Sequence, residues 1–474
     1  MTASTSSVRY SKGQESVVAI AAIALLALSF VFGGASRDHA LRLALVELAA
    51  LPLLVLALSQ LLRDGMAERH KFALGLLAAA FALPLIQLIP LPPAIWTALP
   101  GRAEMVLALD LAGLEPGWTA LSVTPDRTWW SILALLPPAA AFIGMLVMPE
   151  PWRSRLIWGL IAATGVAILL GAAQLVSGGT RLYPWATTAA GNVTGFFANR
   201  NHLATLILSA IPFVVVLGAG HLRGARSRGL PIWIAALFLG LALVGLAAVR
   251  SRFGVLLFVP VMCVSLVAAW IASGRARPPA ALLSLVGAAA VGLALVAALA
   301  LGPVMARFDT GAPELRFERW PMVAEAAEPF LPLGSGIGSF DTVYRAYEPL
   351  EQLDASFFNQ AHNEYLETWL EAGWPGIALI VAFLIWFGRR AWTAWRSPPS
   401  RTTDLGRAAS IAIALMLVHS IADYPLRTAT LAVLFALCCA LLEGVARSGQ
   451  GGAAQAGTSE EPRIRTRRRL RSPA

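Results

Sequence analysis

Residues 230–273 read LPIWIAALFLGLALVGLAAVRSRFGVLLFVPVMCVSLVAAWIAS. Two apolar runs, 230–249 and 253–273, are joined by Arg250, Ser251 and Arg252 alone, so the chain reverses with almost no loop. About twenty apolar residues cover the hydrocarbon core of a bilayer when helical. Inside that core every backbone polar group must be paired within its own element, which makes each run a helix. Working outward from this hairpin, further spans are predicted at 16–34, 40–62, 72–90, 129–148, 155–177, 201–220, 279–302, 374–388, 407–424 and 428–446. Segments of about ten residues alternating apolar and polar, the mark of a membrane barrel, are absent. The composition, 57% hydrophobic and 14% charged over 474 residues, lies far from that of a soluble domain. The fold class is therefore all-α: a polytopic membrane protein of about twelve helices with a large, mostly helical loop between spans nine and ten.

Arginine placement orients the chain. With the N-terminus inside, the cytoplasmic connections hold Arg9 and Lys12, then Arg63, Arg69 and Lys71, then Arg153 and Arg155, then Arg223, Arg226 and Arg228. Arg275, Arg277, Arg389, Arg390, Arg396 and Arg401 complete the set, and the tail adds Arg463, Arg465, Arg467, Arg468, Arg469 and Arg471. The large loop, 303–373, holds Arg307, Arg316, Arg319 and Arg345 against twelve Asp and Glu. An even number of spans and this bias agree: both termini are expected in the cytoplasm and the large loop outside. One membrane domain, 1–446, with the loop inserted in it, and a disordered basic tail, 447–474, describe the organisation. The net charge of +10 is then the positive-inside signal plus that tail, not a nucleic-acid surface, because the arginines are scattered over short loops. Cys263, Cys438 and Cys439 fall inside spans, which leaves no exported disulfide or metal cluster. The first apolar run is longer than a signal-peptide core and is expected to stay as a span.

Three insertions are expected on the exported side. Leu91–Thr128 is Pro-rich, with an amphipathic piece around Ala103–Leu114 suited to the membrane surface. Trp129 and Trp130 then mark the interface. Gly178–Arg200 is short and polar and ends in GFFANR just before Asn201 and His202. In the large loop, Leu315–Ala327 has a helical pattern, Pro329–Phe340 is too rich in Pro and Gly for regular structure, and Gln360–Ala372 is helical again. There Tyr365, Leu366, Trp369 and Leu370 form an apolar stripe, with Glu364, Glu367 and Glu371 opposite. His362 shares the side of the stripe, so its imidazole should face the bundle or the interface.

The polar residues of that side carry the candidate chemistry. Arg250 and Arg252 sit at the membrane edge, where guanidinium either snorkels to headgroups or grips a phosphate with two parallel hydrogen bonds. Arg316 and Arg319, one turn apart, are read either as phosphate ligands or as partners of Glu314 or Glu318. An imidazole can take a proton at neutral pH, which makes His362 a candidate base or a structural residue. Asp423, one turn after His419, is a functional candidate or an arginine partner. Gly334-Ser335-Gly336-Ile337-Gly338 follows no strand and lacks Lys-Ser/Thr, so it is a tight turn and not a phosphate loop. Asn192-Val193-Thr194 is a chance match to a glycosylation triplet. No carboxylate pair at metal-ligand spacing stands out, and neither a metal nor another cofactor is expected.

His362-Asn363, nine residues, then Gly373-Trp374-Pro375-Gly376 complete the motif His-[Asn/Ser/Gln]-x9-Gly-x-x-[Gly/Thr/Tyr]. On that motif the chain resembles the bacterial O-antigen ligase and O-antigen polymerase superfamily. GNVTGFFANRNHLA (191–204), RSRFGVLLF (250–258), RFERWPMVAEAAEPFLPLGSGIGSF (316–340) and HSIADYPLR (419–427) are similar to family segments in family order. The likeness is strongest from about 190 to 430. Arg200 departs from it, standing between two asparagines where a small residue or proline is usual. The resemblance implies a GT-C-like, metal-independent glycosyltransferase of the inner membrane that uses a glycan on undecaprenyl diphosphate. Arg252 and Arg319 would meet the diphosphate, and His362 would be the base. Arg250, Arg316, Asn363, Asp423, Arg200 and Asn201 would line the substrate site. The acceptor is either lipid A-core or a second lipid-linked repeat; a protein acceptor and a transporter are weaker readings. A transporter would place its ionisable groups in mid-span and use repeat-related broken helices.

Overall fold

The computed structural model describes residues 12–35, 40–178, 182–183, 192–223, 230–280, 315–350 and 358–445, with residues 284, 287, 290 and 294. Most of the predicted ninth span, the start of the large loop and the basic tail lie outside the described residues. Among the described residues, regular structure is helical apart from one antiparallel bridge, Pro90–Leu91 against Thr119–Ala120. The helices are α1 (Lys12–Phe32), α2 (Ala40–Arg63), α3 (Lys71–Gln87), α4 (Ala103–Leu111), α5 (Pro125–Ala134), α6 (Leu136–Val147), α7 (Glu150–Val176) and α8 (Arg200–Gly220). They continue as α9 (Leu230–Val249), α10 (Arg252–Ser273), α11 (Leu315–Ala327), α12 (Phe340–Tyr347), α13 (Glu364–Arg396), α14 (Arg401–His419) and α15 (Ala429–Gly444).

Seven helical stretches among the described residues are long and apolar enough to cross a membrane, and three shorter apolar helices accompany them. The predicted span 129–148 is in fact two helices, α5 and α6, meeting at Leu135, just before Pro137 and Pro138. The predicted span 407–424 ends early: α14 stops at His419, and Asp423 lies in the turn beyond it.

One helix is the hub. α8 packs against α7, α9, α10 and α14, and 94% of its most apolar stretch is buried. A helix apolar on every side belongs in the middle of a bundle. Its first turn, however, carries Asn201 and His202, so the hub delivers polar groups to one end of the core.

The two ends of the bundle differ in kind. Arg390, His70 and Trp386 converge on buried Glu443, at 2.7, 3.0 and 3.0 Å. Asp404 pairs with Arg407 at 2.8 Å and also with Arg223, and Arg401 lies 3.6 Å from Glu150. These residues come from the loops and helix ends assigned by sequence to one side.

At the other end the loops interlock. Gln87 donates to the Glu371 carbonyl (3.0 Å) and accepts from Ile337 N–H (2.9 Å), and the Val123 amide donates to the Ser335 carbonyl (2.9 Å). The glycines of the 334–338 turn exist for this packing. A Cβ at Gly334 would meet the Glu371 carbonyl oxygen at 2.5 Å, and one at Gly336 would meet the Ser122 hydroxyl at 2.1 Å.

Candidate active site

The start of α13 explains the motif. The Asn363 side-chain oxygen accepts from the Tyr365 and Leu366 amides, both at 3.1 Å, and caps the helix. Such a cap is worth about 0.5–2 kcal/mol. It also starts α13 at Glu364, four residues later than the pattern predicts. Gly373 then bends the helix, at φ 52° and ψ −144°. A Cβ there would lie 2.3 Å from the Pro332 carbonyl oxygen, and the Trp374 amide donates to that same oxygen at 3.0 Å. The motif's asparagine and glycine thus fix the two ends of one short helical segment against the 331–340 loop. Asn363, expected in the substrate site, also caps this helix.

His362, just before the cap, has φ 49°, a conformation rare for a side-chain-bearing residue and concentrated at functional sites. Its ring is 22% exposed, packs on Tyr424 (4.8 Å) and Phe358 (5.5 Å), and places Nδ1 3.5 Å from Asp423 Oδ1. The imidazole faces the bundle's turn at 420–428, the side the stripe predicts. The remainder of that stripe is corrected. Glu367 and Glu371 are buried and pair with Arg427 at 3.3 and 3.1 Å, while Glu364 accepts from the Leu426 amide (2.7 Å) and Ser420 Oγ (3.1 Å). Burial alone would lower the Arg427 pKa, but the carboxylates of Glu367, Glu371 and Glu364 raise it beyond its ordinary value. The glutamate face is the inner face because an arginine from a distant loop meets it there.

Asp423 is the buried centre of the cluster. It accepts from Asn201 Nδ2 at 2.6 Å and from the Tyr424 amide at 2.9 Å, with the Asn199 amide at 3.4 Å. His202 Nε2 lies 3.8 Å from the same carboxylate. Burial pushes the Asp423 carboxyl up, but the imidazoles of His202 and His362 outweigh it and hold it well below the usual carboxylate range. It is an anion placed between two imidazoles.

Arg252 neighbours this centre along the chain, and Arg319 does so through an aromatic ring. Ser251 Oγ donates to Asn201 Oδ1 at 2.9 Å and caps α10 by accepting from Gly254 N–H at 3.1 Å. Arg252, the next residue, therefore begins α10 beside the cluster. Arg250, on its other side, is exposed and has φ 51°. Arg319 Nη1 lies 3.3 Å from Glu348 Oε1, whereas Glu314, one of its expected partners, lies outside the described residues; its guanidinium stands 5.1 Å over the Phe358 ring. Since Phe358 also stacks near His362, one unbroken path runs Arg319–Phe358–His362–Asp423–Asn201–Ser251–Arg252.

Arg200 and Asn201, expected in the substrate site, both hydrogen-bond to protein groups. Arg200 donates to Asn192 Oδ1 at 2.7 Å, which pins its own loop, and the Asn201 amide is engaged by Asp423 and Ser251. The Arg316 side chain lies outside what the structure describes. Sequence reasoning missed His202, Asn199, Ser251, Tyr424 and Phe358. The signal for two of them was present: Asn199 caps α8 through the Asn201 amide (2.9 Å), and a cap followed three residues later by a histidine opens an otherwise apolar helix.

The fold and this cluster define a multi-pass membrane protein with an anion, two imidazoles and guanidinium groups gathered at one end. Residues 213–381 match the family described as O-antigen ligase, and the match supports membership of the chain in the O-antigen ligase and polymerase superfamily. It runs from within α8 into α13 and takes in Arg250, Arg252, Arg319, His362 and Gly373, whereas Asn201, His202 and Asp423 fall outside it. At a coarse level the match is consistent with a glycan-processing ligase or polymerase. No curated protein matches the chain.

Proposed function

We propose that the protein transfers a glycan from undecaprenyl diphosphate to a sugar hydroxyl, on lipid A-core or a similar acceptor, at the periplasmic face of the inner membrane. The carrying observation is the His362–Asp423 pair, with Arg319 reached from it through Phe358 and Arg252 through Asn201 and Ser251. His362 takes the proton from the acceptor hydroxyl, and that oxygen attacks the anomeric carbon from the face opposite the diphosphate. The bond from the anomeric carbon to the diphosphate oxygen breaks, its electron pair leaves with undecaprenyl diphosphate, and the configuration inverts. Asp423, ionised and buried, orients the imidazole and stabilises it once it is protonated. The 3.5 Å separation is loose for a hydrogen bond, as catalytic contacts often are without substrate.

The departing charge is met by guanidinium, which needs no metal to bind a diphosphate in two-pronged fashion. Arg319 supports this role: its Nε is buried with no hydrogen-bond partner among the described residues, a donor that an anion would satisfy. A cavity of about 380 Å³ lies among α3, α13 and α15, walled by Leu76, Leu77, Ile380, Phe383 and Phe435 and topped by Glu364 and Ser420. Its apolar walls suit a lipid chain, and its top adjoins the His362 turn.

The polysaccharide of a deletion strain reads the acceptor. Bare lipid A-core beside accumulated lipid-linked polymer is the expected result. Lipid A-core capped with single repeats would replace the ligase reading with a polymerase that uses a second lipid-linked repeat.

A further inference from the structure

The segment between α3 and α5 leaves the bundle and returns to it, closed at its base by the bridge of Pro90–Leu91 with Thr119–Ala120. The two helices that carry it pack on each other. Both turn apolar side chains outward at that point: Leu85, Ile86 and Ile89 from the end of α3, and Trp129 and Trp130 from the start of α5. Within the segment, α4 buries none of its residues. Leu107, Leu111, Leu114 and Trp118 follow at four-, three- and four-residue steps and are 56, 79, 59 and 70% exposed. Four large, exposed apolar side chains within twelve residues of one segment mark a contact surface and not a wetted face.

The inner side of the same segment is firmly held. Trp96 is buried and donates from Nε1 to the Gly117 carbonyl at 2.8 Å. Arg102 is buried, donates to the Leu121 carbonyl and lies 5.9 Å from the Phe330 ring. Val123 N–H meets the Ser335 carbonyl at 2.9 Å, and Thr128 Oγ1 meets that of Ile337 at 2.7 Å. The segment is thereby joined to the 329–340 loop, against which Gly373 and the start of α13 are set.

We propose that α4 and the residues after it lie in the bilayer interface at the same end of the bundle as the His362 cluster. Leu107, Leu111, Leu114 and Trp118 are immersed among the headgroups and first methylenes. The segment then works as a strap that fixes the 329–340 loop, and with it His362, at the depth where the phosphates of a lipid emerge. The occupant of this surface is the bilayer: the segment leaves the bundle between the exposed apolar ends of α3 and α5, and its own large exposed side chains are apolar. Indole at its end suits that zone. The charged residues near the stripe are Glu104, Asp110 and Glu115, and α4 has no basic residue. Attachment is therefore by apolar insertion and not by attraction to anionic headgroups.

A benzophenone amino acid in place of Leu111, and separately of Trp118, tests this in the full protein held in lipid nanodiscs. Irradiation should give phospholipid adducts at both positions, several-fold above those from the same group in place of Glu115. The yield should be unchanged as the anionic lipid fraction rises. Adducts to a polypeptide, whether a second copy or another protein, would overturn the proposal. So would yields no higher than at Glu115, or adduct formation that depends on anionic lipid.

Discussion

Arg319 carries its charge into a nearly buried position, 3.3 Å from Glu348 and above the Phe358 ring. Glu348 holds the guanidinium without covering Nε, which leaves a planar donor edge for a ligand. A lysine would keep the charge and lose that edge. Arg319→Lys should lower transfer by about 10²-fold, the scale of losing one aimed donor to a developing negative charge. Steady-state rates on a lipid-linked donor check this, and a rate equal to wild type would remove Arg319 from the diphosphate. Asp423 allows a test that needs no substrate. Its carboxyl titrates below the unfolded value, so the linked stability is fully present above about pH 4 and is lost as pH falls toward its own lower value. The melting-temperature gap between wild type and Asp423→Asn should therefore not narrow between pH 7 and about 4, and should shrink below that. A gap closing already between pH 7 and 5 would contradict an anion held by His202 and His362.

At the level of the element, α13 shows what the sequence could and could not tell. The spacing of His362, Asn363 and Gly373 was legible as a family motif, but the cap and the glycine bend behind it were not read from the sequence. Gly373→Ala should be strained, with φ 52° and the Pro332 carbonyl oxygen 2.3 Å from the new Cβ. A loss of about 1–3 kcal/mol is expected, read as a lowered melting temperature in detergent; unchanged stability would mean the bend is not pinned there. The inward turn of Glu367 and Glu371 was not legible. Their partner, Arg427, lies in a loop beyond the next helix, and periodicity alone assigns a row of glutamates to water. The same limit hid His202. Its partner Asp423 comes from the end of α14, a contact that no local pattern encodes. The hairpin at Arg250–Arg252 was plain from hydropathy, yet the link from Ser251 through Asn201 to Asp423 required the packing of α8 against α10 and α14.

Across the whole molecule, the chain separates two kinds of charge. At one end Glu443, Arg390, Asp404, Arg407 and Arg223 tie helix ends together in closed pairs. At the other, Asp423 stands between His362 and His202, Arg319 lies over the Phe358 ring that packs on His362, and Arg252 follows Ser251 at the start of α10. The buried hub α8 keeps the second cluster in place by presenting Asn201 and His202 from its first turn. The strap at α4, the loop at 329–340 and the bent α13 then fix the depth at which that cluster works. The most direct test of this account is the transfer rate of His362→Ala. Purified protein is given lipid-linked glycan and acceptor, with EDTA present and donor binding measured in parallel. The account predicts a rate about 10²–10⁴-fold below wild type with donor binding retained. A His362→Ala protein that transfers at the wild-type rate would contradict it.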